Sequence, residues 1–373
     1  MRKKYTLITG TRPQIIKSVP IIRAAESTSE IKLIHIFTGQ HYDSYLADIF
    51  FQTLEIEYPK YQLDVRSGST DYHIRMILDK LVPLLKKTNT TGLLVPGDTN
   101  SALAAGLAGM FLSIPVMHIE AGLRSYDFKM QEEINRRLID HGSSVLFAPT
   151  RTAVDNLKKE SVLGKIVFSG DTMYDLLLAE KEKIMDKLLF NKAIKKFNIV
   201  EKDYSVLTVH RRENVTNIEK LKRIITTIGG TNIKTIFPIH PNTRKTIEKS
   251  NIRISNNIQL IDPISYQKFL NLVAFSGLVI TDSGGLQKEA YLLNIPCVTL
   301  RNSTEWVETV TQKANKVVGT NPDLILQAIS ELFNKKLETD NTVYGNGQAA
   351  ENIVKELVED LPVVPTVTDL LNQ

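Results

Sequence analysis

The chain has 373 residues, of which 42% are hydrophobic and 23% charged, and 46 basic against 41 acidic residues give a formal net charge of +5. This is a soluble globular composition, too long for one ordinary core, so two domains are expected. The basic excess is scattered and forms no stripe with interleaved aromatics, which favours an anionic small ligand over nucleic acid as partner.

The opening segment MRKKYTLITG has a charged head but only a short apolar run before Gly10 and Pro13, unlike a secretion signal. No stretch approaches the ~18 apolar residues of a membrane span, so no membrane partner and a cytoplasmic location are expected. Tyr5 to Thr9 reads as a buried parallel strand. GTRP follows, and then Ile15, Ile16, Val19 and Ile22 mark a helix with Pro20 as a disturbance inside it. IKLIHIFTGQH is a second strand, ending in Gly39-Gln40-His41. A helix near Ile74 to Leu85 precedes the strand TGLLVPGD. The small-residue helix NSALAAGLAGMFL, the strand IPVMHIEAG and the helix MQEEINRRLIDHGS come next. VLFAPT, TAVDNLKKE and KIVFSGDT close a first half near residue 170. The Lys-rich run AEKEKIMDKLLFNKAIKKF reads as a connector with a solvated face. The pattern then restarts with YSVLTVH, KTIFPIHP, IQLIDP, LVITDSGG and PCVTLRN, each an apolar run ending in polar or glycine residues. A helix from Asp323 to Phe333 and a last amphipathic helix, IVKELVEDL, finish the chain.

Two rounds of strand–helix alternation predict two parallel α/β sheets. In such sheets the polar residues at C-terminal strand ends face a common crevice, so the ligand is expected between the halves. No GxGxxG follows the first strand and no GxxxxGK[ST] occurs, which removes support for a dinucleotide cofactor or a nucleoside triphosphatase. HExxH is absent, and His118, His210 and His240 lack metal-ligand spacing, so no metal site is expected. Cys297, the single cysteine, sits in the apolar run IPCVTL; it excludes an internal disulfide and reads as a buried strand residue.

The chemistry-bearing residues gather at strand ends. After LVIT, Asp282-Ser283-Gly284-Gly285 opens a helix, an arrangement whose free backbone N–H groups suit a phosphate; Ser283 as a simple helix cap with a packing glycine explains the same residues. Glu289, six residues past Ser283, projects from the second helical turn, where a carboxylate could hold a sugar's hydroxyl pair. Arg12 and Lys17 stand near the start of the first helix, where the dipole disfavours cations unless an anion is near; surface placement is the alternative. Asp98 ends a strand in PGDT, unless it caps the next helix. Glu120 ends the strand VMHIE, where packing does not explain a carboxylate. Glu132 and Arg136 share a helix face and could form an ordinary surface ion pair. His210 ends a strand and precedes Arg211 and Arg212, a combination suited to a diphosphate. Carboxylates near C2 and C3 of a sugar suit proton removal.

Taken in order, GTRPQIIK, TGQH, GDTNS, HIEAGLRS, QEEINR, HRREN, HPN, TDSGGLQKEA and RNSTEWVE resemble the non-hydrolysing UDP-N-acetylglucosamine 2-epimerases, from Gly10 to about Leu357. The resemblance implies an α/β fold of GT-B type, two Rossmann-like parallel-sheet domains facing a central cleft. Residues 1–170, with a helix at about 351–372 crossing back, would carry the carboxylates, and 171–350 would bind UDP. The implied reaction is reversible inversion at C2 of UDP-GlcNAc to UDP-ManNAc, by anti elimination of UDP to a 2-acetamidoglucal and re-addition. No cofactor is implied, the partners are the UDP-sugar and UDP, and a homodimer is expected. Asp98, Glu120, Glu132, Arg136 and His210 match the family's catalytic positions. Ser283, Gly284, Gly285 and Glu289 match its UDP-binding turn and ribose ligand. Arg12 and Phe269 match positions beside the nucleotide, and His240 and Asn242 lie in the corresponding crevice segment. Gln40 and His41 match part of a regulatory site of bacterial members.

The chain also departs from the family pattern. Thr304-Glu305-Trp306-Val307-Glu308 stands where Thr-Glu-Arg-Pro-Glu is usual, so an arginine near the diphosphate is missing while Arg301 is retained. Gln14, Lys288 and Gln348 replace Glu, Glu and Arg, and DVRSGSTD does not match the segment that supplies a regulatory arginine. The Trp-Val variant resembles relatives acting on diacetamido-uronic acid sugar nucleotides, an alternative substrate. A glycosyltransferase of similar architecture and a non-catalytic sugar-nucleotide sensor are the competing readings; both leave the carboxylates Asp98, Glu120 and Glu132 without a task.

Overall fold

The computed structural model describes residues 2–39, 51, 54–65 and 68–359; Gln40 and His41 lie outside them. The chain forms two compact units, one built from the part up to Leu178 together with the part from Thr342 on, the other from Ala179 to Asn341.

The first unit holds a seven-stranded sheet in the order β3-β2-β1-β4-β5-β6-β7. Its strands are β1 Lys3–Thr9, β2 Ile31–Phe37, β3 Tyr61–Gln62, β4 Gly92–Pro96, β5 Val116–Ile119, β6 Val145–Ala148 and β7 Lys165–Phe168. The second holds a six-stranded sheet in the order β10-β9-β8-β11-β12-β13. These strands are β8 Tyr204–Thr208, β9 Lys234–Pro238, β10 Ile258–Ile261, β11 Leu278–Thr281, β12 Cys297–Thr299 and β13 Asn315–Val317. Among the described residues every pairing is parallel. A parallel sheet covered on both faces needs strands that are apolar on both, and LLV in β4 or LVI in β11 supply this. In each sheet the order reverses between two neighbours, β1 and β4 in the first and β8 and β11 in the second. At such a switch point the connections leave in opposite directions and open a crevice at the C-terminal strand ends.

Packing follows the helical period. Helix Ile218–Gly229 lays Leu221, Ile224, Ile225 and Ile228 on Leu207, Phe237 and Ile280, each side chain contributing about 1.5–3 kcal/mol by leaving water. Helix Asn100–Phe111 uses Ala102, Ala104, Ala105 and Ala108 instead, and their small size lets it lie close to the first sheet. The first helix, Arg12–Glu26, runs unbroken through Pro20. Val19, Ile21 and Ile22 around the proline are buried, and that burial outweighs the lost backbone bond of about 3 kcal/mol. Pro83 sits likewise inside helix Thr70–Thr88. The Lys-rich run is more than a connector: it forms helices Lys181–Ile184 and Lys187–Phe197, which bury Ile184, Phe190 and Phe197 in the second unit. Cys297 is buried in β12, and burial pushes its thiol up to about 12, as a structural cysteine requires.

The last helix, Ala349–Val358, belongs to the first unit. Tyr5 Oη donates to the Leu357 carbonyl at 2.7 Å, and Lys3 Nζ to that of Val358 at 2.7 Å. At the other end Asp175 Oδ2 accepts from the Ala350 N–H at 2.7 Å. Burial raises the Asp175 carboxyl from 3.8 to about 6, against the opposing pull of the Ala350 and Ala349 N–H groups. The folded chain therefore binds this proton more tightly than the unfolded chain. Between pH 3.8 and about 6 the group's contribution to stability falls as pH rises, and above that range the buried carboxylate is a constant cost. Asp175→Asn, which keeps the acceptor for Ala350, is expected to stabilise the protein by about 1–2 kcal/mol at neutral pH and by almost nothing near pH 4. Melting temperatures of both proteins across that pH range provide the check.

Candidate active site

In the first unit the ends of β1, β4 and β5 bring four of the expected side chains together. Thr11 caps helix Arg12–Glu26, and Gln14 completes the capping box: its Oε1 accepts from Gly10 N at 2.9 Å and Thr11 N at 3.1 Å. Gln14 Nε2 donates to the Pro96 carbonyl at 2.7 Å, a bond a glutamate could not make. The β1 turn is thereby tied to the end of β4, beside Asp98. Arg12 is half-buried on the first turn. One turn further on, Lys17 bonds the Glu120 carboxylate. Burial lowers the Lys17 ammonium, but Glu120 and Asp98 outweigh it and hold the group above its ordinary value. Lys17 is thus an ion-paired cation of the site, not a surface residue.

Glu120 itself has φ +69°, a left-handed conformation that is uncommon outside glycine and costs free energy. Asp98 does not cap helix Asn100–Phe111; Thr99 does, accepting from Ala102 N at 3.2 Å. The Asp98 side chain accepts from Arg136 Nη2 at 2.5 Å, and its carbonyl accepts from Asn135 Nδ2 at 2.9 Å. Arg136 is buried and also donates to Glu133 Oε2 at 3.2 Å. Glu133, fully buried, accepts in addition from Ser125 N at 2.8 Å and Arg137 Nε at 3.0 Å. Glu132 lies half-buried on the first turn of helix Gln131–Gly142. Glu133, the buried member of the adjacent glutamates, bonds the arginine, and the Glu-Glu pair in the sequence was its only signal.

In the second unit Asp282 is the centre. It is fully buried at the end of β11, beside β8, and its carboxylate accepts from His210 N at 3.1 Å, Arg211 N at 3.0 Å and Asn214 Nδ2 at 3.1 Å. Arg211 Nε returns a bond to the Asp282 carbonyl at 3.1 Å. His210 Nδ1 lies 3.6 Å from Asp282 Oδ1, with the imidazole 44% exposed. The next residue, Ser283, caps helix Gly284–Leu292 by accepting from Leu286 N at 3.4 Å, so the cap and the phosphate-type turn coexist. Gly284 lies against the Glu305 side chain: a Cβ there would stand 2.2 Å from Glu305 Oε1, so that carboxylate would have to move aside. Behind it Arg301 Nη2 pairs with Glu305 Oε2 at 2.8 Å. Gly285 is half-buried at the helix mouth.

Glu289, buried on that helix, accepts from Tyr266 Oη at 2.9 Å, which fixes the carboxylate's rotamer. Phe269 follows Tyr266 on helix Tyr266–Ala274 and is half-buried. His240 caps helix Pro241–Lys249, its Nδ1 accepting from Asn242 N at 3.2 Å, while the Asn242 side chain is exposed. The two departures from the expected pattern meet: Lys288 Nζ lies 4.0 Å from the centroid of the Trp306 ring, and both residues are buried. Among the described residues no group of His, Cys, Asp and Glu could hold a metal ion, and no helix is long and apolar enough to cross a membrane.

Comparison with known proteins gives these two clusters a context. Residues 23–358 match the family model "UDP-N-acetylglucosamine 2-epimerase". A UDP-N-acetylglucosamine 2-epimerase homolog of Methanococcus maripaludis is 46% identical, over 95% of this chain and 99% of that protein. A UDP-2,3-diacetamido-2,3-dideoxy-D-glucuronate 2-epimerase of Pseudomonas aeruginosa is 39% identical, over 95% and 99%. The crystal structure of Methanocaldococcus jannaschii UDP-GlcNAc 2-epimerase in complex with UDP-GlcNAc and UDP superposes with a TM-score of 0.88 at 41% identity, covering 95% of this chain and 99% of that one. The two parallel α/β units are of the GT-B type that these neighbours share.

Removing Asp282 would leave the His210, Arg211 and Asn214 donors without their shared acceptor. Asp282→Ala is expected to destabilise the second unit by about 3 kcal/mol or more. The loss should be read as a lower midpoint in urea together with faster amide exchange at His210 and Arg211.

Proposed function

Because the chain belongs to the UDP-N-acetylglucosamine 2-epimerase family, we propose that it interconverts UDP-GlcNAc and UDP-ManNAc by inverting C2 of the sugar. The reading assigns the nucleotide to the second unit and the proton chemistry to the first. The Ser283 turn and the guanidinium groups of Arg211 and Arg301 receive the diphosphate, and Glu289 receives the ribose hydroxyls. A carboxylate of the set Asp98, Glu120 and Glu132 takes the C2 proton. The C2–H electron pair forms the C1–C2 double bond, and the C1–O bond breaks with its electrons leaving on UDP. Return of a proton to the opposite face of C2 and attack of UDP oxygen at C1 complete the inversion. Nothing is oxidised or reduced overall, so the reaction needs no redox cofactor.

The observation that carries this reading is the cluster of Lys17, Asp98, Glu120 and Arg136 at the switch-point strands of the first unit, bonded as two cation–carboxylate pairs. A glycosyltransferase needs no such cluster, because it removes no proton from carbon. A second substrate, a UDP-diacetamido-uronic acid sugar, is favoured by one feature: Lys288 and Trp306 replace a glutamate and an arginine of the usual pattern and leave this corner more positive, and the Pseudomonas relative bears that activity's name. The protein works as a cytoplasmic homodimer in this reading, which light scattering on the purified chain would test.

In heavy water, solvent deuterium is expected at C2 of both sugars during turnover of UDP-GlcNAc; retention of the original hydrogen would sink the mechanism. Asp98→Asn should cut kcat by about 10² to 10⁴ while UDP affinity stays near wild type. An NMR time course with UDP-GlcNAc and its 3-acetamido uronic acid analogue in parallel would identify the sugar by the larger kcat/KM.

A further inference from the structure

A circuit of charged hydrogen bonds in the first unit starts at Asp98 and returns to the residue before it. Asp98 accepts from Arg136, which also donates to Glu133 Oε2 at 3.2 Å. Glu133 Oε1 accepts from Arg137 Nε at 3.0 Å, and Arg137 Nη1 donates to Glu160 Oε1 at 2.7 Å. Glu160 takes two bonds from Arg124, at 2.8 and 2.7 Å. Arg124 Nη2 lies 2.7 Å from Asp140 Oδ2, and Asp140 Oδ1 lies 2.6 Å from His118 Nδ1. His118 Nε2 stands 2.9 Å from the carbonyl oxygen of Gly97.

His118 and Asp140 are both fully buried. A peptide carbonyl can only accept, and so can an ionised carboxylate, so each ring nitrogen has to donate. The charges agree. Asp98, Glu133, Glu160 and Asp140 face Arg136, Arg137 and Arg124, which leaves one negative charge unbalanced unless the histidine ring is cationic. Asp98 and Glu160 are partly open to water, but Glu133 and Asp140 are fully buried, where an uncompensated charge would cost several kcal/mol. Burial raises the Asp140 carboxyl, yet the His118 ring and the Arg124 guanidinium outweigh it and hold the group below its ordinary value.

We propose that His118 is kept as an imidazolium and is a positioning residue for the two strand-end carboxylates. On one side its Nε2–H fixes the Gly97 carbonyl, and with it the turn that presents Asp98. On the other side its partner Asp140 accepts from Gly122 N at 3.2 Å and fixes the turn that presents Glu120. Both turns need this restraint. Gly97, Glu120 and Gly122 all have positive φ, at +71°, +69° and +81°, and a Cβ on Gly122 would stand 2.3 Å from the Ala153 carbonyl oxygen. The two turns converge on one ammonium: a Cβ on Gly97 would lie 3.6 Å from Lys17 Nζ and 3.7 Å from Glu120 Oε2. His118 therefore sets the spacing of Asp98 and Glu120 around Lys17 without itself reaching substrate.

Only the kinetic consequence rests on the epimerase reading, so the test has two arms. In the full-length chain labelled with ¹⁵N-histidine and free of ligand, the His118 ring, identified among seven histidines by its loss in His118→Asn, should show both nitrogens protonated at neutral pH, with slowly exchanging N–H protons. A ring with one unprotonated nitrogen overturns the proposal, whatever the enzyme turns over. In the second arm, folded His118→Asn should lose about 10²-fold in kcat, the effect of a displacement of about 1 Å in catalytic groups, with UDP affinity within about twofold of wild type. Wild-type kcat in that variant overturns the positioning role. Should His118→Asn fail to fold, His118→Gln provides the unlabelled reference, and the ring spectrum of the native chain still decides.

Discussion

Two fully buried carboxylates govern how the chain leaves the sheets, Asp140 against the end of β5 in the first unit and Asp282 at the switch point of the second. A carboxylate removed from water is tolerated only when several donors converge on it, and the nearest donors at a strand end are backbone N–H groups and the first polar side chains of the turn. Asp282 collects His210 N, Arg211 N and Asn214 Nδ2, so the turn after β8 has to fold back over the end of β11. Asp140 collects Gly122 N, the His118 ring and Arg124, so the turn after β5 has to bend sharply past Glu120. The chemistry-bearing residues stand where they do because they share turns with these acceptors. The sheets supply the platform, and the buried charges decide how the chain leaves it.

This explains which parts of the molecule could be read from the residues alone. Strands apolar on both faces announce a parallel sheet, and the polar residues that follow them mark its C-terminal edge; Gly-Asp after β4, Glu120 after β5 and Asp-Ser after β11 were all legible as strand ends in that way. Helix content was legible too, except that Pro20 does not interrupt its helix, because tertiary burial of Val19, Ile21 and Ile22 overrides a local preference. Partner choice was not legible. Glu132 and Arg136 sit at the spacing of a surface pair, yet Arg136 is buried and reaches Asp98, 38 residues away in sequence, and Glu133 from the neighbouring position. Periodicity gives the face of a helix. It does not say which of two adjacent glutamates turns inward, because that depends on Ser125 and Arg137 being in place to satisfy it. Asp140 and His118 carried no signal as members of one network, since each reads separately as an ordinary helix or strand residue.

The departures from the family pattern become intelligible as physical substitutions. Gln14 retains the capping role of a glutamate and adds a donor for the Pro96 carbonyl, joining β1 to β4 without a buried charge. Lys288 and Trp306 exchange an expected acid–base pair for an ammonium over an indole face. Such a contact is worth about 0.5–2 kcal/mol, depending on desolvation, and it needs no anion beside the helix that carries Ser283. Arg301, held by Glu305 beneath Gly284, remains as the guanidinium of that corner. The second unit therefore keeps its positive character by another route. Gln348, by contrast, is exposed at the start of the last helix, in the first unit, and the structure gives no reason for its replacing an arginine.

Within the proposed reaction the surroundings of the carboxylates bear on how they divide the work. Removal of the C2 proton needs an ionised acceptor, and its return to the other face needs a protonated donor. Asp98 and Glu120 are set against Arg136 and Lys17, with Arg136 shared by the buried Glu133. Their place at the strand ends suits these carboxylates to face positive charge developing at C1 as UDP departs. Glu132, half-buried one turn before Arg136, is placed differently from the two strand-end carboxylates. Two titratable roles are best separated when the environments of the groups differ, and here the strand ends and the first turn of a helix give these carboxylates different surroundings.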